Sequence, residues 1–155
     1  MPKYDPEWIA FEKTIGGLPH LPFDNIDKRR HNFNNGIIQG AKRLPPTDPN
    51  ITTHDEQISE HVKVRIYVPP DPAGTACQTR PCLVFCHGGG WYAGNLDTED
   101  QICRIVCSGV GAMVVSVDYR LTPRVKFPAP IEDVYEAFQW VSDIGRVCQG
   151  LLLES

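Results

Sequence analysis

The chain has 155 residues, 41% apolar and 22% charged, which fits one modest soluble domain with a real core. A formal net charge of −4 and a pI near 5.7 argue against nucleic acid or an anionic membrane as the main partner. No apolar stretch approaches the roughly 18 residues that a membrane span requires, so no membrane span is expected.

At the N-terminus, "MPKYDPEWIAFEK" puts charges where a signal peptide has its apolar region, so cytoplasmic residence is expected. The six cysteines then read as reduced thiols. Residues 1–50 are irregular, with one amphipathic helix expected within 5–15 and another near 26–40. Lys28-Arg29-Arg30-His31 reads as a solvated basic cluster rather than a targeting patch. The breaker-rich "LPPTDPN" at 44–50 closes this region.

From 55 to 68, apolar residues fall at Ile58, Val62, Val64, Ile66 and Val68, the period of a half-buried strand, and a hairpin is expected. "PPDPAG" at 69–74 ends it. "PCLVFCH" at 81–87 is continuously apolar, which suits a strand buried on both faces. Asp97 is the expected N-cap of the next helix, with acids at 99 and 100 and apolar residues at 102, 103, 106 and 110. Cys103 and Cys107 share a face of that helix, but nothing stands at zinc-site spacing, and no metal or cofactor is expected. "AMVVSVDY" at 112–119 is a second buried strand, and "LTPRVKFPAP" a proline-rich connection. In "IEDVYEAFQWV", Ile131, Val134, Phe138 and Val141 form one helical stripe. Hairpin, strand, helix, strand, helix argues for an α/β fold with a mainly parallel sheet.

"HGGGW" at 87–91 directly follows the first buried strand, where parallel sheets build their sites. Three glycines open conformations closed to L-residues and bring N–H groups close to a ligand. A phosphate cradle would want G-x-x-x-x-G-K-[ST] or G-x-G-x-x-G leading into a helix, and Trp91-Tyr92 stands there instead. An oxyanion hole fits better, since HGGG donates such N–H groups in lipases and esterases.

The stretch from "VFCHGGGWYAGN" through "DYRLTPRVKFPAPIEDVYEAFQWV" resembles the α/β-hydrolase fold, specifically the hormone-sensitive lipase group of carboxylesterases, over about residues 55–143. His87-Gly88-Gly89-Gly90-Trp91 is similar to that group's oxyanion motif, and Asp118-Tyr119-Arg120-Leu121 with Phe127-Pro128-Ala129 to its second signature. The resemblance implies a small acyl ester as substrate and a serine acyl-enzyme mechanism. It assigns the oxyanion hole to Gly88, Gly89 and Gly90, with Gly89 and Gly90 as the donors and Gly88 allowing the turn. It gives His87 the role of loop anchor, puts Trp91 and Tyr92 at the pocket, and makes Asp118, Tyr119 and Arg120 structural support, Asp118 and Arg120 as a charged pair. Arg124 departs from the pattern, standing where the group has glutamate. The implied division is a cap at 1–50, the N-terminal half of the hydrolase core at 51–143 and a divergent tail at 144–155.

The catalytic residues are another matter. In this fold the nucleophile is a serine in G-x-S-x-G, followed by an acid and a histidine. None of Ser59, Ser108, Ser116, Ser142 or Ser155 has glycines two positions away on both sides. Cys86 beside His87 is a poor substitute, since neighbouring strand residues point to opposite faces. The expectation is therefore an N-terminal fragment with oxyanion donors but no nucleophile, acid or base, inactive alone. A non-catalytic small-molecule-binding or interaction protein of the same fold is the alternative. The strand at 82–86 is expected to leave an apolar edge open to self-association.

Overall fold

A computed structural model describes residues 5–14, 16, 25–70 and 80–147. The elements in chain order are α1 Pro6–Thr14, α2 Ile26–Ala41, β1 Thr52–Gln57, β2 Lys63–Val68, β3 Cys82–Cys86, α3 Asp100–Val110, β4 Met113–Asp118 and α4 Ala129–Val147. Both expected N-terminal helices form, and Asn25 caps α2 by accepting the Lys28 N–H at 2.8 Å. Residues 71–74 of the expected breaker and 148–155 of the tail lie outside the described residues.

One four-stranded sheet runs β1-β2-β4-β3. β1 pairs antiparallel with β2, and β2 antiparallel with β4, whereas β3 pairs parallel with β4. The sheet is thus mixed, and the expected parallel pairing is confined to the strands joined through α3. On one face Val62, Val64, Ile66, Val115, Val117 and Tyr119 pack with Ala137 of α4. On the other, Tyr67 and Val114 pack with Cys103 and Cys107 of α3, the shared helix face that their spacing implies.

Three sequence expectations change. β3 is not buried on both faces: Leu83 is 42% exposed, and Cys82 and Cys86 are also exposed, because β3 lies at the edge of the sheet. Asp97 does not cap α3, which begins at Asp100 after Glu99. Its carboxylate instead accepts a hydrogen bond from Arg65 Nη1 at 2.8 Å. On α4 the stripe turned to the sheet is Val134, Ala137, Trp140 and Val141, while Ile131 and Phe138 face outward with Tyr135. The helix has apolar residues on two faces, and sequence period alone could not say which one meets the sheet.

Candidate active site

The parallel pair β3–β4 places two loops side by side at its carboxyl end, one following Cys86 and one following Asp118. His87, at the start of the first, is buried, and its ring stacks on Tyr119 with centroids 4.2 Å apart. Tyr119 Oη donates to the His87 carbonyl at 2.7 Å, tying the two loops together. Burial pushes the Tyr119 phenol up to about 12, so it stays a donor throughout the physiological range. His87 Nδ1 lies 2.9 Å from the Gly88 carbonyl, which assigns the ring proton to Nδ1, and buried Nε2 has no hydrogen-bond partner among the described residues.

The loop then turns sharply. Gly89 has φ +125°, and a Cβ there would collide with the Ala93 carbonyl; Gly94 has φ +97°, and a Cβ there would strike the His87 ring. Gly88 takes no left-handed φ and has room for a methyl group, so the turn rests on Gly89, Gly90 (φ +59°) and Gly94 rather than on Gly88. Trp91 also sits at φ +64°, unusual for a residue with a side chain. Its carbonyl is held by Thr122 N at 2.9 Å and Thr122 Oγ1 at 3.2 Å.

The amides in the second half of this loop have acceptors. Those of Tyr92 and Ala93 donate to the Gly89 carbonyl, that of Gly94 to Asn34 Oδ1 at 2.8 Å and that of Asn95 to Thr98 Oγ1. The N–H groups of Gly88, Gly89, Gly90 and Trp91 donate to no acceptor among the described residues. Trp91 is 49% exposed beside them, and Tyr92 packs its ring against Phe33 of α2.

α2 closes the far side of this loop. Arg30, in the cluster expected to be solvated, is only 13% exposed at its side chain. Its Nε donates to the Tyr92 carbonyl at 2.6 Å and its Nη2 to the Thr122 carbonyl at 2.9 Å. Arg124, the charge-reversed position, pairs with Asp27 of α2 at 3.0 Å.

Asp118 and Arg120 do not form the expected pair. Arg120 makes a two-toothed contact with Asp133 of α4, its closest approach 2.6 Å, and the Arg120 backbone N–H donates to the same carboxylate. Asp118 is half-buried, and burial raises its carboxyl above the ordinary range despite the opposing field of His87.

Of the described serines, Ser108 and Ser142 bond carbonyls one turn back in their helices, and Ser116 is buried inside β4. Cys86 is exposed on the opposite side of the strand from buried His87, and desolvation raises its thiol, the reverse of an activated nucleophile. Among the described residues no three His, Cys, Asp or Glu side chains gather as a metal site, and no helix is long and apolar enough to cross a membrane.

Comparison with known proteins agrees with this architecture. Residues 83–149 match the α/β-hydrolase fold family. The esterase LipI of Mycobacterium tuberculosis is 46% identical over 115 residues, covering 71% of this chain and 35% of LipI. The versiconal hemiacetal acetate esterase of Dothistroma septosporum is 32% identical over 143 residues, covering 90% of this chain and 41% of that protein. Among solved structures, the hyperthermophilic esterase of the archaeon Pyrobaculum calidifontis superimposes with a TM-score of 0.69 at 30% identity, covering 94% of this chain and 45% of that one. The chain therefore spans less than half the length of each of these relatives.

The chain belongs to the α/β-hydrolase fold family, and its mixed sheet flanked by helices is consistent with that fold. Within that fold the chain belongs with the carboxylesterases of the hormone-sensitive lipase type.

Sequence reasoning missed Arg30, Asn34, Gly94 and Asp133. Gly94-Asn95 is a turn dipeptide that could have flagged the left-handed φ at Gly94. Arg30 and Asn34, four apart on α2, carry no signal in the sequence for carbonyls and amides some 60 to 90 residues away.

Proposed function

We propose that this chain supplies the oxyanion-hole half of a serine carboxylester hydrolase acting on small acyl esters. The N–H groups of Gly89 and Gly90 would receive the alkoxide of the tetrahedral intermediate, with His87 anchoring the loop and Trp91 and Tyr92 lining the acyl site. The observation that carries this reading is that Gly89 and Gly90 sit at the centre of a run of amides, Gly88 to Trp91, with no acceptor among the described residues, while the amides of Tyr92 to Asn95 that close the turn are all engaged. A turn held by its neighbours with donors left over is a pre-organised anion site, and each donor used is worth about 2.7–4 kcal/mol in transition-state stabilisation. In this reading residues 1–50 serve as the cap, with α2 seated on the loop, and residues 51–143 as the catalytic core's first half.

The sequence has no G-x-S-x-G, so this polypeptide by itself has no nucleophile for those donors to assist. The expected activity alone is no burst and no turnover of p-nitrophenyl butyrate above background. Replacing the matching segment of the Pyrobaculum calidifontis esterase with residues 83–122 tests the loop. Turnover within about tenfold of the parent is expected, falling by about 10²–10³ when Gly89→Ala displaces the donors. Brisk multiple turnover by the 155-residue chain, abolished by changing one of its own side chains, would overturn the proposal. The open edge of β3 is proposed as a self-association surface.

A further inference from the structure

The charged cluster at 28–31 holds a residue whose position is at odds with a solvated helix face. Arg30 points inward from α2, is largely covered, and divides its guanidinium between two carbonyls 30 residues apart, those of Tyr92 and Thr122. Each belongs to a different motif loop. Nη1 turns back to Asp27 at 3.3 Å, and Asp27 in turn meets Arg124 of the second loop at 3.0 Å. One turn further along the helix, Asn34 accepts the Gly94 N–H. Arg29 adds its guanidinium over the Tyr92 ring, 5.9 Å from the centroid.

We propose that Arg30 is a positioning residue for the glycine loop, acting from α2 to fix the Tyr92 peptide that follows the oxyanion donors and the Thr122 peptide of the neighbouring loop. The inference deepens the ester-hydrolase reading and rests on it for its catalytic meaning. The backbone explains why such a residue is needed. Trp91 holds a left-handed φ with a bulky side chain, and Gly89 and Gly94 can adopt many conformations. Such a segment has competing arrangements close in energy unless contacts from outside choose one. The Trp91 carbonyl is chosen by Thr122, the Tyr92 carbonyl by Arg30 and the Gly94 amide by Asn34. Arg30 also holds Thr122 itself, so it fixes both the loop and the residue that fixes the loop. A guanidinium presents rigid, coplanar N–H groups that can reach two carbonyls at once, whereas a lysine ammonium is a point donor on a flexible stem. Because the donors lie on α2, the cap region sets the state of the loop without touching the reacting atoms.

The test is backbone amide hydrogen exchange on the full chain, comparing Arg30→Ala and Arg30→Lys with the parent. Faster exchange by tenfold or more is expected within 88–95 and 120–124 in both variants, with the amides of β2 and β4 unchanged. Added guanidinium ion, at millimolar concentration, should slow exchange in Arg30→Ala toward the parent rate and leave Arg30→Lys unaffected. Unchanged loop exchange in the variants, equal loosening of β2 and β4, or full restoration by lysine would overturn the proposal. If Arg30→Ala fails to fold, Arg30→Lys, which keeps the charge and most of the volume, decides by the same criteria. Exchange is read without ester turnover, so it separates the two ideas. A loosened loop alongside an inert hybrid esterase sinks the oxyanion reading alone, and an unmoved loop alongside an active hybrid sinks the positioning role alone.

Discussion

A methyl group added at Gly89 would run into the Ala93 carbonyl and hold an L-residue at φ +125°, whereas one at Gly88 would meet only Glu99 Oε1, at an ordinary 3.7 Å. Neighbouring glycines thus carry opposite constraints. Gly89→Ala is expected to destabilise the chain by about 1–3 kcal/mol from backbone strain alone, with the collision added. Gly88→Ala should fall within about 0.5 kcal/mol of the parent, as an unconstrained surface change does. Thermal melts of the two variants side by side check the contrast, and equal losses would show that both positions need glycine. Buried Cys103 gives a second contrast at this scale. Burial beneath the sheet pushes its thiol up to about 11, so iodoacetamide at pH 8 should modify it only after unfolding, as mass spectrometry of the native and denatured chain would show.

The tie between β4 and α4 depends on Asp133, which is 1% exposed, and on Arg120, whose side chain is 30% exposed. Removing the arginine strands a buried carboxylate with only the Arg120 backbone N–H as donor. Arg120→Leu should therefore cost about 2–3 kcal/mol, below the range for fully buried pairs because the guanidinium end is partly solvated. Asp133→Asn keeps an acceptor for that N–H and should cost less, an order that urea denaturation would reveal. The β1–β2 hairpin makes a different electrostatic statement. Arg65, and then Lys63, hold Asp55 down to about 2 from an ordinary 3.8. A depressed carboxylate stabilises the fold at pH above about 3.8, and that contribution disappears as the pH falls through about 2. Asp55→Asn should accordingly lower the melting temperature at pH 6 and lose its effect near pH 2. These elements also mark what the sequence could convey. Period-2 alternation marked β2, though not β1, which is polar and exposed along its whole length, and the cysteine spacing marked the buried face of α3, because each is local and one side is plainly polar. The Arg120–Asp133 tie and the grip of Arg30 on Tyr92 and Thr122 were not legible. A guanidinium's partner is decided by which helix the fold brings near, and acids at 118, 132 and 133 are chemically equivalent on paper. The glycine loop was legible as a motif because its function needs bare amides, while which glycines bear the turn depends on dihedral angles that the letters do not state.

At the scale of the whole molecule, the sheet formed by the described residues ends in a strand with few of the devices that keep edges apart. β3 reads Cys-Leu-Val-Phe-Cys, without a charge or a proline inside it, and Leu83 is 42% exposed. Beside it α4, which packs on β3 and β4, turns Ile131, Tyr135 and Phe138 outward, at 44%, 60% and 55% exposure. These three recur at helical spacing and form a second apolar stripe, opposite the one that meets the sheet. A strand at the edge of the sheet next to an apolar helix face invites another polypeptide, and at high concentration the available one is a second copy. The chain is expected to elute as oligomers whose proportion rises with concentration, and to bind an apolar dye. Leu83→Lys puts a charge on the open edge without touching either core cluster, so it should shift the distribution toward monomer while leaving the melting transition in place. Phe138→Glu tests the helix stripe independently. If only the first change acts, association runs through strand pairing; if only the second, through the helix. A monodisperse, cooperatively melting monomer at every concentration, indifferent to both substitutions, would mean that this edge is already protected within the chain itself.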